Sequence, residues 1–290
     1  MALQYSHTTT QQTLDPSNMS NVCSETSTKP GLFMDVVTII IICVGLPLTL
    51  LAIYAVYSLV EKDRAAPVYV INLLISDLVQ LCCMIAEVAQ PKHVQIHDVF
   101  FYIYYFGVMA SVGFMVCIAL ERYLVIACPL WYRFRRTIKI SLVVCGVVWA
   151  LPLFYILPVF LEVNYEVSLI IFAIFFLLPY PLFIFFLAGT LKALSAASRI
   201  PPDEKRRIVA ILVLVLLTYT VLFLPGIIWS LIKKARTDRI FCYLSYTIIK
   251  FSPLADLFLY VFLRKGAVDK LLASLCCCRI DTNYINRPTA

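Results

Sequence analysis

Four ionisable residues lie inside long apolar runs where no water is expected. Asp77 and Glu87 share the second such run, and Lys250 and Asp256 share the seventh. A charge within a membrane-length apolar segment is costly, so its default reading is functional. An ammonium held there needs a carboxylate partner. Two buried carboxylates can share a proton or hold a cation. The bland reading is hydrogen-bonded polar glue between helices. A fifth place is the end of the third run, which closes on Glu121, Arg122 and Tyr123. A guanidinium there can pair with a carboxylate or face a partner's helix, or it can simply snorkel to the interface. The sequence shows no nucleophile–base pair, no metal-ligand spacing and no phosphate loop, and no enzyme is expected.

The elements that must hold these residues follow from composition. The chain has 290 residues, of which 62% are hydrophobic, against about 45–50% in a soluble domain. That excess calls for a bilayer rather than a polar shell. Apolar stretches fall at 35–60, 67–90, 98–126, 138–161, 167–194, 204–232 and 241–263. Each reaches the ~20 residues needed to cross ~30 Å of hydrocarbon. The expected fold is all-α, a seven-transmembrane helix bundle. A short amphipathic surface helix is expected over 263–275, where Arg264, Lys265 and Lys270 interrupt Ala, Val and Leu. The division is a tail at 1–34, a membrane domain at 35–263 and a surface helix with tail at 264–290. Residues 1–32 carry no apolar h-region, so the first span is expected to target the chain.

Net charge is +7. The basic residues sit in short loops, and membrane orientation explains them better than nucleic acid. With the N-terminus outside, Arg133, Arg135, Arg136, Lys205, Arg206 and Arg207 fall inside. The last outer loop, with Lys233, Lys234, Arg236 and Arg239, is the exception. Asn18, Met19 and Ser20 form a glycosylation sequon on the outer tail.

Landmarks in register carry a family resemblance. They are Gly45, Leu46 and Pro47 in the first stretch and Asn72, Leu73, Leu74, Ile75, Ser76 and Asp77 in the second. Glu121, Arg122, Tyr123 and then Cys128, Pro129, Leu130 end the third. Trp149 marks the fourth, Pro179 the fifth, Phe223, Leu224 and Pro225 the sixth, and Asp256, Leu257 and Tyr260 the seventh. The chain resembles a rhodopsin-like (class A) G-protein-coupled receptor over nearly its whole length. Trp131, Tyr132 and Arg133 resemble the second inner loop of Mas-related receptors, whereas the Glu121 and Asp256 motifs look like the proton-sensing, peptide and lipid branch. The branch stays open. Thr49, Leu187 and Leu257 depart from the family pattern, as does His97 where a disulfide cysteine is usual.

The resemblance implies a multi-pass plasma-membrane receptor with heterotrimeric G protein, membrane lipids and an extracellular ligand as partners, and no nucleic acid. The ligand could be a peptide, a lipid, a small molecule or a proton. Coupling and switching would fall to Glu121, Arg122, Tyr123, Arg133, Lys205, Arg206, Phe223, Pro225, Asp256 and Tyr260. Glu87, Lys250, Phe223 and Tyr246 would line the ligand pocket, with Lys250 paired to Glu87. Asp77, Ser111, Ser252 and Asp256 would form a sodium or proton site, and no other cofactor is expected. A disulfide between Cys23 and Cys242 and palmitoylation at Cys276, Cys277 and Cys278 are also expected. His93 and His97 are candidate proton sensors. The alternatives are an opsin-like photoreceptor with retinal on Lys250, a non-coupling receptor, and a transporter, for which no internal repeat speaks.

Overall fold

The computed structural model describes residues 28–62, 68–89, 94–128, 130, 132, 138–160, 165–196 and 202–263. Asn18, Cys23, His93, Arg133, Cys276, Cys277, Cys278 and the expected surface helix lie outside the described residues, as do the side chains of His97 and Asp98.

Among the described residues eleven helices make seven passes. The first three passes are α1 Thr28–Lys62, α2 Val68–Val88 and α3 Val94–Ala127. The fourth combines α4 Ile138–Ala150 and α5 Leu153–Phe160. The fifth combines α6 Tyr165–Leu177 and α7 Pro179–Ala196. Helix α8, Pro202–Leu231, is the sixth, and the short α9, Lys233–Thr237, caps it. The seventh is α10 Arg239–Lys250 followed by α11 Ser252–Leu263. Among the described residues six helical spans are long and apolar enough to cross a membrane, and the α10–α11 pair makes a seventh.

Proline sets the breaks, because it has no N–H for the carbonyl four residues back. Pro152 ends α4, and Pro179 divides α6 from α7. The expected continuous seventh span at 241–263 is instead bent by 42°. Pro253 offers no N–H to Ile249, and the Phe251 N–H turns to the Ile248 carbonyl at 3.1 Å. Asp238 starts this pass by accepting from the Ile240 and Phe241 amides, a side-chain N-cap.

Burial ranks the passes. The apolar window of α3 is 67% buried and that of the fourth pass 17%, which makes α3 the centre and the fourth pass the rim. The buried face of α2 runs through Val70, Leu73, Asp77, Leu81 and Met84, a helical spacing of three and four. Glu87 continues that face, ten residues or about 15 Å beyond Asp77 at 1.5 Å per residue. Large side chains such as Tyr54, Phe154 and Val143 point outward. Lipid is the solvent that makes such exposure cheap.

Candidate functional site

Polar side chains gather at three levels of the bundle. At the outer level Lys250 is buried at the end of α10. Its Nζ donates to Glu87 Oε1 at 2.7 Å, to Glu87 Oε2 at 2.9 Å and to Thr38 Oγ1 at 3.2 Å. An ammonium has three protons to give, so Lys250 is saturated. Its Nζ also lies 4.8 Å from the centroid of the Tyr246 ring, close enough for a cation–π attraction. The Tyr246 hydroxyl donates to Glu87 Oε1 at 3.3 Å. Glu87, Tyr246 and Lys250 therefore come together, with Thr38 as a partner that the sequence did not single out.

Beside this pair is a cavity of about 20 Å³ lined by Cys83, Ala86, Glu87, Phe100, Phe101, Tyr104 and Tyr246. Phe223, expected in the pocket, is not part of it. Its ring stacks on Phe176 with centroids 4.9 Å apart, and Tyr219 leans on it at 4.9 Å. Phe172 extends the column from Phe176 toward Tyr105. These rings fill the space between the third, fifth and sixth passes. The cavity beside Glu87 lies instead among the second, third and seventh passes. The Tyr219 hydroxyl donates to the Phe176 carbonyl at 2.5 Å, close to the Pro179 break. Pro225 lies within α8 and leaves the Val221 carbonyl without its usual donor.

Retinal does not fit this geometry. A Schiff base needs a free amine and room for a polyene, whereas Lys250 is engaged on all three protons and the adjoining cavity holds about one water-sized group.

The middle level holds Asp77 and Asp256, both fully buried and close enough to act on one another. Gln80 Nε2 donates to Asp77 Oδ1 at 3.4 Å. Asp77 Oδ2, both Asp256 oxygens and Ser252 Oγ are buried without a formed hydrogen bond, although Asp77 and Ser252 stand close enough to Asp256 to share a proton with it. Ser252 adjoins Asp256. Ser111 is buried and donates to the Val108 carbonyl at 2.8 Å, which leaves its lone pairs free. It sits one turn inward of Gly107, where an added Cβ would meet the Gln80 side chain and the Ser76 carbonyl. Thr49 is also fully buried with its hydroxyl unpartnered. Buried polar atoms are almost always satisfied, so these orphaned oxygens fit a small hard cation or a shared proton. No group of three or more His, Cys, Asp or Glu suited to a metal occurs among the described residues. Sodium with carboxylate and hydroxyl oxygens is a different donor set.

At the inner level Tyr132 donates to Glu121 Oε1 at 2.6 Å. Arg122 is half-buried, with its Nε lacking a hydrogen-bond partner. Tyr123 stacks on Phe186 at 5.8 Å and fits against Gly189, where an added Cβ would stand 2.6 Å from the ring. Lys205 donates to the Leu194 carbonyl at 2.9 Å and ties α8 to α7, while Arg206 is exposed. Tyr260 is half-buried against the core. Sequence reading missed Tyr132 and Gly189 as partners of the Glu121–Tyr123 motif. Only the order of the spans could have hinted at them.

Two outer features complete the picture. Arg236 Nη1 meets Glu166 Oε1 at 2.9 Å, which links the sixth and fifth passes. Cys242 is disulfide-bonded, and the other described cysteines are free. The partner of Cys242 lies outside the described residues.

Comparison with known proteins bears on the same span. Residues 48–260 match the family model of the 7 transmembrane receptor (rhodopsin family). The chain is 28% identical over 205 residues to Mas-related G-protein coupled receptor member A4 of Mus musculus, covering 64% of each protein. It is 31% identical over 145 residues to G-protein coupled receptor 68 of Homo sapiens, 48% of this chain and 39% of that one. It is 23% identical over 292 residues to Proteinase-activated receptor 2 of Rattus norvegicus, 86% of this chain and 73% of that one. The chain covers less than two thirds of the length of the first two relatives. One family model spanning most of the residues, on a bundle of seven apolar passes, makes this multi-pass membrane protein a member of the rhodopsin family of seven-transmembrane receptors.

Proposed function

We propose that the chain is a plasma-membrane receptor, N-terminus outside, that passes the binding of an extracellular ligand to a heterotrimeric G protein. The observation that carries this reading is the stack of three polar levels in an otherwise apolar bundle. Glu87 with Lys250, Asp77 with Asp256, and Glu121 with Arg122 are carried by the second, third and seventh passes. A ligand at the outer level shifts the inner one only if it binds the open bundle better than the closed one. The aromatic column around Phe223 and the bond from Tyr219 to Phe176 lie between those levels and join the fifth and sixth passes. An outward swing of α8 would release Lys205 from Leu194 and uncover Arg122 beside Arg206. Arg133 belongs to the same inner surface in this reading. Guanine-nucleotide exchange on purified heterotrimers, with the chain in lipid nanodiscs, tests it. Exchange above the protein-free rate is expected and is lost in Arg122→Ala at equal receptor amount. No exchange with any heterotrimer class, across a broad peptide, lipid, amine and pH screen, overturns it.

Asp77, Asp256 and Ser252, with Ser111 near them, would hold a sodium ion, which would supply positive charge to two facing carboxyls. Thermal stability of the solubilised chain should then rise when choline chloride is replaced by sodium chloride at equal ionic strength. Asp77→Asn should remove that difference. In the same reading Asn18 would carry a glycan, Cys276, Cys277 and Cys278 would carry acyl chains, and Cys23 would be the partner of Cys242.

A further inference from the structure

The ion pair presents one end to the cavity beside it. Lys250 has a side chain only 3% exposed and lies behind Glu87, whose side chain is 33% exposed. Lys250 does not line the cavity; Glu87 does, and among the described residues it is the only charged one that does. The pair is therefore a dipole with its negative end toward the open space. A carboxylate has about four lone-pair sites. Lys250 takes one on each oxygen and Tyr246 takes a second on Oε1. One site on Oε2 remains.

An independent group faces the same space. Tyr104 lines the cavity, is 5% exposed, and its hydroxyl has no hydrogen-bond partner. Such an orphan is costly unless something fills it. Most of the remaining described wall is aromatic, from Phe100, Phe101 and the rings of Tyr104 and Tyr246, with Cys83 and Ala86 completing it. Aromatic faces are negative and attract cations. An anion entering here meets a carboxylate and ring faces, with its natural partner Lys250 already saturated. A volume of about 20 Å³ admits one water-sized group, so a bulky quaternary ammonium is excluded.

We infer that this cavity seats the primary ammonium head of a ligand, donating to the free lone pair of Glu87 and to the Tyr104 hydroxyl oxygen, with the rest of the ligand extending outward. The inference rests on the receptor reading, since it names the ligand class of the same outer level.

The test uses the full chain in lipid nanodiscs and three probes of one shape: phenethylammonium, 2-phenylethanol and 3-phenylpropionate. Thermal unfolding is followed at millimolar probe and constant ionic strength. Phenethylammonium should raise the midpoint by a few degrees and the other two should leave it unchanged. Tyr104→Phe, which keeps the ion pair intact, should weaken the ammonium effect about five- to tenfold. The double variant Glu87→Gln with Lys250→Met, which removes both charges together, should abolish it. Equal shifts from the alcohol, a shift from the carboxylate alone, no shift from any probe, or an undiminished ammonium effect in Tyr104→Phe each overturns the assignment. Nucleotide exchange in the same nanodiscs separates the two readings. Arg122-dependent exchange without an ammonium shift removes the ligand class and keeps the receptor. An ammonium shift without exchange does the opposite.

Discussion

Lys250 and Glu87 form an ion pair in which each charge neutralises the other. Removing one leaves the other charge inside an apolar wall, which in buried pairs costs about 3–5 kcal/mol. Glu87 is partly exposed, so the cost should sit near the low end. Lys250→Met is expected to lower thermal stability by about 3 kcal/mol, and Glu87→Gln by a similar amount. The double variant should lie within about 1 kcal/mol of the parent, because both charges leave together. Thermal unfolding of the four proteins measures the coupling, and additive losses would show that the contact has no energetic weight. The charges were legible in the sequence, since an ammonium and a carboxylate inside apolar runs announce themselves. Thr38 and Tyr104 were not. A threonine in a helix usually bonds its own backbone, as Thr38 also does with the Met34 carbonyl. Nothing separates Tyr104 from Tyr102 and Tyr105 until the rotation of α3 is known.

Helices in this bundle meet most closely where a glycine lets them. Gly189 receives the Tyr123 ring, and an added Cβ would stand 2.6 Å from it. Gly146, on the outer side of α4, has nothing within 4 Å of that position. Alanine is favoured over glycine within a helix by about 1 kcal/mol. Gly146→Ala should therefore raise stability by a few tenths to about 1 kcal/mol. Gly189→Ala should lower it by about 1–3 kcal/mol, the usual cost of overpacking, and Tyr123→Ala in the same chain should recover part of the loss. Unfolding midpoints of the single and double variants decide this. A gain in Gly189→Ala would mean that Tyr123 moves aside freely. Span positions were readable because length and apolarity are properties of composition. The bend at Phe251 was not, although Pro253 was visible, because proline inside a membrane helix is tolerated in some places and breaks it in others. Pro225 leaves α8 continuous, and Pro179 does not leave the fifth pass so. Phe223 was legible as a buried aromatic, but which rings fill the bundle and where the cavity is left depend on all seven passes at once.

Across the whole molecule, packing is uneven. The centre is held by α3, and the fourth pass gives most of its surface to lipid. Its attachments include the Trp149 Nε1–H bond to Asn72 Oδ1 at 3.0 Å and Val148 seated in the notch at Gly113, where an added Cβ would stand 2.6 Å away. Phe106 and Phe114 brace the Trp149 ring. Breaking the clasp should loosen this pass before any other. Trp149→Phe keeps the ring contacts and removes one hydrogen bond worth about 1 kcal/mol. Hydrogen exchange is expected to rise first over residues 139–158, with the second and third passes still protected, and uniform exchange would contradict a separate seam. The lipid-facing surface of this pass gives that seam a practical meaning. Acyl chains press on the fourth pass from outside and supply contacts that protein supplies elsewhere. Extraction into a short-chain detergent takes that support away. The receptor's tolerance of purification is thus set less by its core than by how well the surrounding amphiphile imitates a bilayer along one side.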